Sequence, residues 1–156
     1  MQDKWTKVDT YFTENLVPAD EALDEALKAS DEANLPQINV ASNQGKLLML
    51  MTQMRDAKNI LEIGTLGGYS TIWLARALPA DGRLITLEYD PHHANVATEN
   101  IKRAGLSHQI DIRVGSALDI LPILADEGHV FDFIFLDANK DDYPAYLDWS
   151  IQLSRK

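Results

Sequence analysis

Residues 59–75 read NILEIGTLGGYSTIWLA, an apolar run, a turn holding Gly64, Gly67 and Gly68, and a second apolar run of different period. The first five residues are β-branched or leucine apart from Asn59 and Glu62, and they predict a strand; the run after the turn predicts a helix over 69–78, stopped by Pro79. A strand feeding a helix through a glycine turn is the opening unit of a parallel α/β sheet.

Working outward from it, the same texture continues. Short apolar runs over 83–88, 110–114 and 131–137 predict three more strands, and the segments 91–104 and about 117–124 between them predict helices. Asp90-Pro91 supplies a cap followed by proline at the first helical position, and Gly105 ends that helix. Strands that are apolar almost throughout imply burial on both faces, hence an open, mostly parallel sheet with helices on either side. Four strands are countable, and the one over 131–137 is expected near an edge, an uncomfortable place for so apolar a run. The segment IQLSRK reads as the end of a helix that would feed a further strand, so the C-terminal strands of the fold are expected to be missing from this chain.

Ahead of residue 58 the chain is helical. Trp5, Val8 and Phe12 fall at helical spacing before Pro18, a second helix follows Asp20 with Leu23, Ala26 and Leu27 on one side, and a third begins after Ser42 as its cap. The methionines at 49, 51 and 54 are expected to fill the core. The whole is read as one domain over 1–156, with added N-terminal helices over 1–57 and an α/β part over 58–156, incomplete at its C-terminal end.

Composition narrows the partners. A formal net charge of −10 without a cluster of Lys and Arg disfavours nucleic acid, and no run approaches the length of a membrane span. The absence of cysteine excludes disulfides and thiolate metal sites, and the N-terminus lacks the apolar core of a signal peptide, so the protein is expected in the cytoplasm, acting on a small molecule.

In open α/β sheets the ligand sits beyond the carboxyl ends of the strands, where the turn from Glu62 to Ser70 lies. A dinucleotide fingerprint starting at Gly64 needs glycine at 66 and glycine or alanine at 69, and the chain has Leu66 and Tyr69. Glu88, at the end of the second predicted strand and 24 residues after Gly64, is placed to accept hydrogen bonds from both hydroxyls of a ribose. A ribose without a pyrophosphate cradle fits S-adenosylmethionine, whose sulfonium suits an acidic site.

The segments LEIGTLGGYSTIWLARALP, GRLITLEYDP, VGSALDILP and FDFIFLDANKDDYPAY, in that order, together resemble the cation-dependent, S-adenosylmethionine-dependent O-methyltransferases, a family that includes catechol and caffeoyl-coenzyme A O-methyltransferases. The resemblance runs from the first helix to the last residue and implies a Rossmann-like methyltransferase fold. It also implies methyl transfer to a hydroxyl of a catechol-like or phenolic acceptor, with Mg²⁺ or a similar divalent cation assisting. By the same resemblance Val40, Glu62, Gly64, Gly68, Ser70, Glu88, Gly115, Ser116, Ala117 and Asp137 hold the cofactor, Asp137 is the first metal ligand, and Lys140 is the base beside the acceptor hydroxyl. A homodimer is implied as well, with the N-terminal helices covering the acceptor or forming the dimer face.

The chemistry suits those residue types. A hard cation on carboxylates stabilises a phenolate, and a lysine in its amine form takes the proton. The chain departs from the pattern in two places. Asn139 stands where the caffeoyl type has Asp, and the Asp-Asn pair that completes the metal site is absent, so the chain is expected to bind cofactor while being impaired in catalysis. A non-catalytic S-adenosylmethionine-binding module is the competing reading. An NAD-dependent oxidoreductase is disfavoured by the missing glycines, and a serine hydrolase by Ile72 where G-x-S-x-G ends in glycine.

Overall fold

A computed structural model describes residues 2–155, without the side chains of Gln2 and Asp3; the two outermost residues of the expected domain lie outside it. Three helices, α1 (Gln2–Leu16), α2 (Glu21–Glu32) and α3 (Ser42–Met54), precede β1 (Asn59–Ile63), α4 (Tyr69–Ala75), β2 (Arg83–Glu88), α5 (Pro91–Arg103), β3 (Ile110–Val114), α6 (Ala117–Asp126) and β4 (Phe133–Leu136). A 3₁₀ turn over Lys140–Asp142 leads into α7 (Tyr143–Leu153). Among the described residues the four strands form one parallel sheet in the order β3-β2-β1-β4. The chain therefore winds outward from β1 to β3 and then returns to the other side of β1, and this reversal opens a crevice between the carboxyl ends of β1 and β4.

The two faces of the sheet follow from the period of two. Leu61, Ile63, Ile85 and Leu87 pack against Ile120, Leu121 and Leu124 of α6 and Tyr146 and Leu153 of α7. Ile60 and Leu84 point the other way, into a cluster with Leu74 and Ala75 of α4. Over the same side α2, α4 and α5 meet through Leu23, Ala26, Tyr69, Ile72, Trp73, Ala97 and Ile101. Burial on both faces is why apolar residues of β1 and β2 point to either side of the sheet, Ile60 and Leu84 one way and Leu61, Ile63, Ile85 and Leu87 the other.

The strands over 59–63, 83–88 and 110–114 match the sequence reading. β4 is shorter than the expected 131–137 because its first residues are engaged elsewhere. The Asp132 carboxylate accepts the N–H groups of Lys58 and Asn59 at 2.9 Å each, closing the start of β1. Phe131 forms a parallel bridge with Ser154 on the outer side of β4, its N–H donating to the Leu153 carbonyl at 2.8 Å.

Two expectations for α3 are corrected. Its N-cap is Ala41, whose N–H donates to the Gln44 side chain at 2.8 Å, while the Ser42 hydroxyl pairs with Thr13 at 3.0 Å, tying α3 to α1. The inner stripe of α3 is Gly45, Leu48, Met49 and Thr52. Met51 and Met54 lie outside it, 47% and 86% exposed, so of the three methionines only Met49 fills core.

Candidate cofactor and acceptor site

A cavity of about 750 Å³ lies in the crevice at the carboxyl ends of the strands. That is within the roughly 300–1,000 Å³ typical of small-molecule sites. Of the residues expected at the cofactor, Val40, Gly64, Ser70, Glu88, Gly115, Ser116, Ala117 and Asp137 line it, and so does Lys140. Glu62 and Gly68 do not.

The glycine turn explains itself in the structure. Gly64 has φ +99°, and a Cβ there would stand 2.1 Å from the Asp137 carbonyl oxygen, so the missing side chain lets the loops after β1 and β4 touch. Gly68 caps α4 in the left-handed region at φ +82°, and a Cβ on it would press on Ala97 of α5 at 3.3 Å. Gly67 approaches Ser30 of α2, and its carbonyl accepts the buried Asn100 amide at 2.9 Å. The first glycine shapes the cavity; the other two let α4 dock.

Glu88 is buried and faces the cavity. Its Oε2 accepts the N–H groups of Thr65 at 3.1 Å and Leu66 at 2.7 Å, and its Oε1 accepts that of Asp90 at 3.0 Å. Leu66 adopts φ +50°, and its N–H is one of those aimed at this carboxylate. The carboxylate is thus held rigidly by backbone, as a group that orients a ligand must be.

Glu62 stands fully buried behind the wall and reaches the cavity through Ser70, whose hydroxyl donates to Glu62 Oε1 at 2.6 Å. Thr71 and Thr86 donate to Oε2 at 2.5 and 2.7 Å, and Thr65 pairs with Thr86 at 2.5 Å. Burial pushes the Glu62 carboxyl up to about 7; the three hydroxyls oppose the rise and the charge of Asp137 adds to it. A carboxyl raised in the folded state holds a proton that the unfolded chain has released, so stability is greatest below the ordinary value of 4.5 and declines as pH rises toward 7. The decline is expected to reach about 3 kcal/mol, and Glu62→Gln is expected to abolish it. Denaturant unfolding at pH 4.5 and 7.5 measures this; an equal pH slope in wild type and variant would refute it.

At the other end of the cavity Asp137, Asn139 and Lys140 are exposed. The Asn139 amide is fixed from both sides, donating to Asp142 Oδ2 at 2.5 Å and accepting the Tyr146 hydroxyl at 2.6 Å. The ammonium of Lys140 lies 5.4 Å from the centre of the Tyr143 ring, whose hydroxyl donates to the Leu136 carbonyl at 3.2 Å. Among the described residues no group of three His, Cys, Asp or Glu side chains is placed to hold a metal ion. Asp137 supplies one carboxylate, so these residues do not by themselves fit the expected divalent cation.

Thr65 and Tyr69 line the cavity within the turn that the sequence places at the ligand, while Tyr89, His93, Asp142 and Tyr146 escaped the sequence reading. Tyr89 and His93 follow Glu88 within one turn of chain, which is the signal that would have found them. Asp142 follows Lys140 by two residues at the end of the 3₁₀ turn, whereas Tyr146 arrives through the fold, since α7 brings it back beneath the loop after β4.

The comparisons agree with this geometry. An O-methyltransferase family model matches residues 13–156. A catechol O-methyltransferase from Niastella koreensis is 57% identical over 149 residues, covering 95% of this chain and 67% of that protein. A second, from Mycobacterium tuberculosis, is 50% identical, covering 96% of this chain and 67% of that protein. The chain thus spans about two thirds of the length of these relatives. A Bacillus cereus O-methyltransferase solved in complex with SAH superposes with a TM-score of 0.97 at 50% identity, over 99% of this chain and 71% of that one. One from Streptomyces achromogenes solved with SAM gives 0.94 at 51% identity, over 99% and 70%. With the family model matching nearly the whole chain and half or more of its residues shared with these relatives, the chain belongs to the S-adenosylmethionine-dependent O-methyltransferase family.

Proposed function

We propose that the cavity binds S-adenosylmethionine and that the enzyme transfers its methyl group to a hydroxyl of a catechol-like or phenolic acceptor. The observation that carries this reading is the one cavity that Gly64, Glu88 and Asp137 line from three different strand ends and Ser70 from the start of α4. The solved relatives' complexes with SAM and SAH, and the catechol relatives, support it.

In this reading Glu88 anchors the ribose. Ser70, steadied by Glu62, meets the methionine end with Val40, and the 115–117 segment flanks the adenine. The transfer is an in-line displacement: the acceptor oxygen forms a bond to the methyl carbon as the carbon–sulfur bond breaks, and the electron pair stays on sulfur. The sulfonium charge disappears, and the acceptor's proton leaves to the base that this reading assigns beside the acceptor hydroxyl, Lys140. Most of the gain comes from holding oxygen and methyl carbon at about 3 Å in line. No step is assigned to a divalent cation, because Asp137 alone among the described residues would meet it.

Calorimetric titration of the chain with S-adenosylmethionine, with NAD in parallel, tests the reading. Micromolar binding of the first and none of the second is expected; NAD binding in its place would overturn it. Methyl transfer to catechol by the 156-residue chain itself is expected to be weak, since Asp137, Asn139 and Lys140 are open to water. Rapid turnover of catechol would refute that impairment.

The proposal extends to a cytoplasmic homodimer. No helix among the described residues is long and apolar enough to cross a membrane. Trp5, Tyr11, Phe12 and Leu16 on α1 and Leu47, Leu50, Met51 and Met54 on α3 are large, apolar and exposed. Light scattering after size exclusion is expected to give twice the mass of one chain, falling to one for Met51→Glu; a wild-type monomer at tens of micromolar would refute it.

A further inference from the structure

The sheet has two edges, and they are built differently. β3 carries Asp111 and Arg113, whose side chains are paired at 3.0 Å, and Arg113 also meets Glu127 at the end of α6 at 2.8 Å. Charges of this kind keep an edge from pairing with another strand. β4 reads Phe-Ile-Phe-Leu, carries no charge and is half-buried along its whole length, whereas β1 beside it is buried from Ile60 to Ile63.

The backbone of β4 shows which groups are left over. Asp137, the next residue, donates its N–H to the Ile63 carbonyl of β1 at 2.9 Å. Alternation along the strand then turns the N–H and carbonyl groups of Phe133 and Phe135 toward β1, and those of Ile134 and Leu136 toward the open side. The Leu136 carbonyl accepts the Tyr143 hydroxyl at 3.2 Å. The N–H groups of Ile134 and Leu136 and the Ile134 carbonyl have no partner strand among the described residues. Just before β4 the same side is taken. Phe131 donates to the Leu153 carbonyl and accepts the Arg155 N–H at 2.9 Å, forming the parallel bridge to Ser154, and the Arg155 guanidinium pairs with the Asp132 carboxylate. A fifth, parallel position is thus begun beside β4 and left open along it.

We propose that the open edge of β4 is a docking surface for one parallel strand of a second polypeptide, one with the chemistry of the part of its relatives that this chain does not span. Ile134 and Leu136 pack toward α6 and α7 and Phe133 and Phe135 toward α4, so the incoming strand is apolar at adjacent positions. Strand addition takes its affinity from backbone bonds and its choice of partner from the side chains on either face. A second copy of this chain fits less well: β4 meeting β4 about a two-fold axis would run antiparallel, against the direction that Ser154 starts. None of Phe133–Leu136 lines the cavity, so occupancy of the edge is independent of what the cavity binds.

The test co-expresses the 156-residue chain with the part of the Niastella koreensis relative that follows its matched 149 residues, and maps amide exchange by NMR. A one-to-one complex is expected, with exchange at Ile134 and Leu136 slowed at least about 100-fold relative to the chain alone, the effect of three new backbone bonds. Phe135, bonded to β1 in either state, is expected to change less than about threefold. Ile134→Pro removes an outward N–H that the four-stranded sheet does not use, and Leu136→Pro removes the other; each is expected to weaken the complex at least about tenfold. Failure of the two polypeptides to copurify, or a complex in which those two amides exchange as freely as before, would overturn the proposal. Protection of Ile134 and Leu136 in the chain alone that grows with its concentration would overturn it in favour of a second copy.

Discussion

Gly64→Ala is expected to destabilise the protein by about 3–5 kcal/mol, a large part of the roughly 5–15 kcal/mol that holds a domain together. Two effects add. The residue's φ of +99° lies where a side chain is strained, and the new Cβ would meet the Asp137 carbonyl oxygen at 2.1 Å. That carbonyl cannot swing aside freely, because the Asp137 N–H donates to the Ile63 carbonyl at 2.9 Å, so relief must part β1 from β4. Gly105→Ala is the control: its φ is +73°, but nothing stands within 4 Å of the new Cβ. Only backbone strain is left there, about 1 kcal/mol. Thermal and denaturant unfolding of both variants measures the difference. Equal losses would show that the close approach of the two loops carries no weight of its own.

The same junction shows which parts of the molecule are legible in the sequence. Residues 59–63 and 83–88 declare themselves as strands because burial on both faces demands apolar residues at adjacent positions, as in Ile60-Leu61 and Leu84-Ile85, and Gly64 and Glu88 then fall at strand ends by counting. Expectations fail where the partner of a residue comes from far along the chain. Met51 and Met54 read as core because they are apolar and helical, yet the inner stripe of α3 is set by Trp73, against whose indole a Cβ at Gly45 would stand 2.3 Å away. A glycine at the closest approach turns the large side chains outward, and no helical pattern in residues 42–54 announces it. Asn139 is similar: Asp142 lies three residues on, but Tyr146 reaches it only because α7 folds back under β4. Glu62 lies between these cases. Its place on β1 is plain from the sequence, but period two turns it onto the α4 face, where Ser70, Thr71 and Thr86 enclose it rather than a ligand.

Glu88→Gln is expected to weaken S-adenosylmethionine binding by at least 100-fold. The side chain keeps its size, but an amide has one acceptor oxygen and one NH₂ donor where the carboxylate has two acceptors. In either orientation the NH₂ is set against a backbone N–H: against Thr65 and Leu66 if it takes the place of Oε2, or against Asp90 if it takes that of Oε1. A buried donor left facing a donor costs about 1–3 kcal/mol, and the bond to the ribose hydroxyl is weakened as well, so about 3 kcal/mol or more of binding is lost. Because Thr65 is buried and tied to Thr86, the clash is present without ligand too, so folding stability is expected to fall together with binding. Calorimetry alongside thermal unfolding measures both. An affinity within threefold of wild type would mean that Glu88 serves only to fold the glycine turn, and that the ribose is held elsewhere in the cavity.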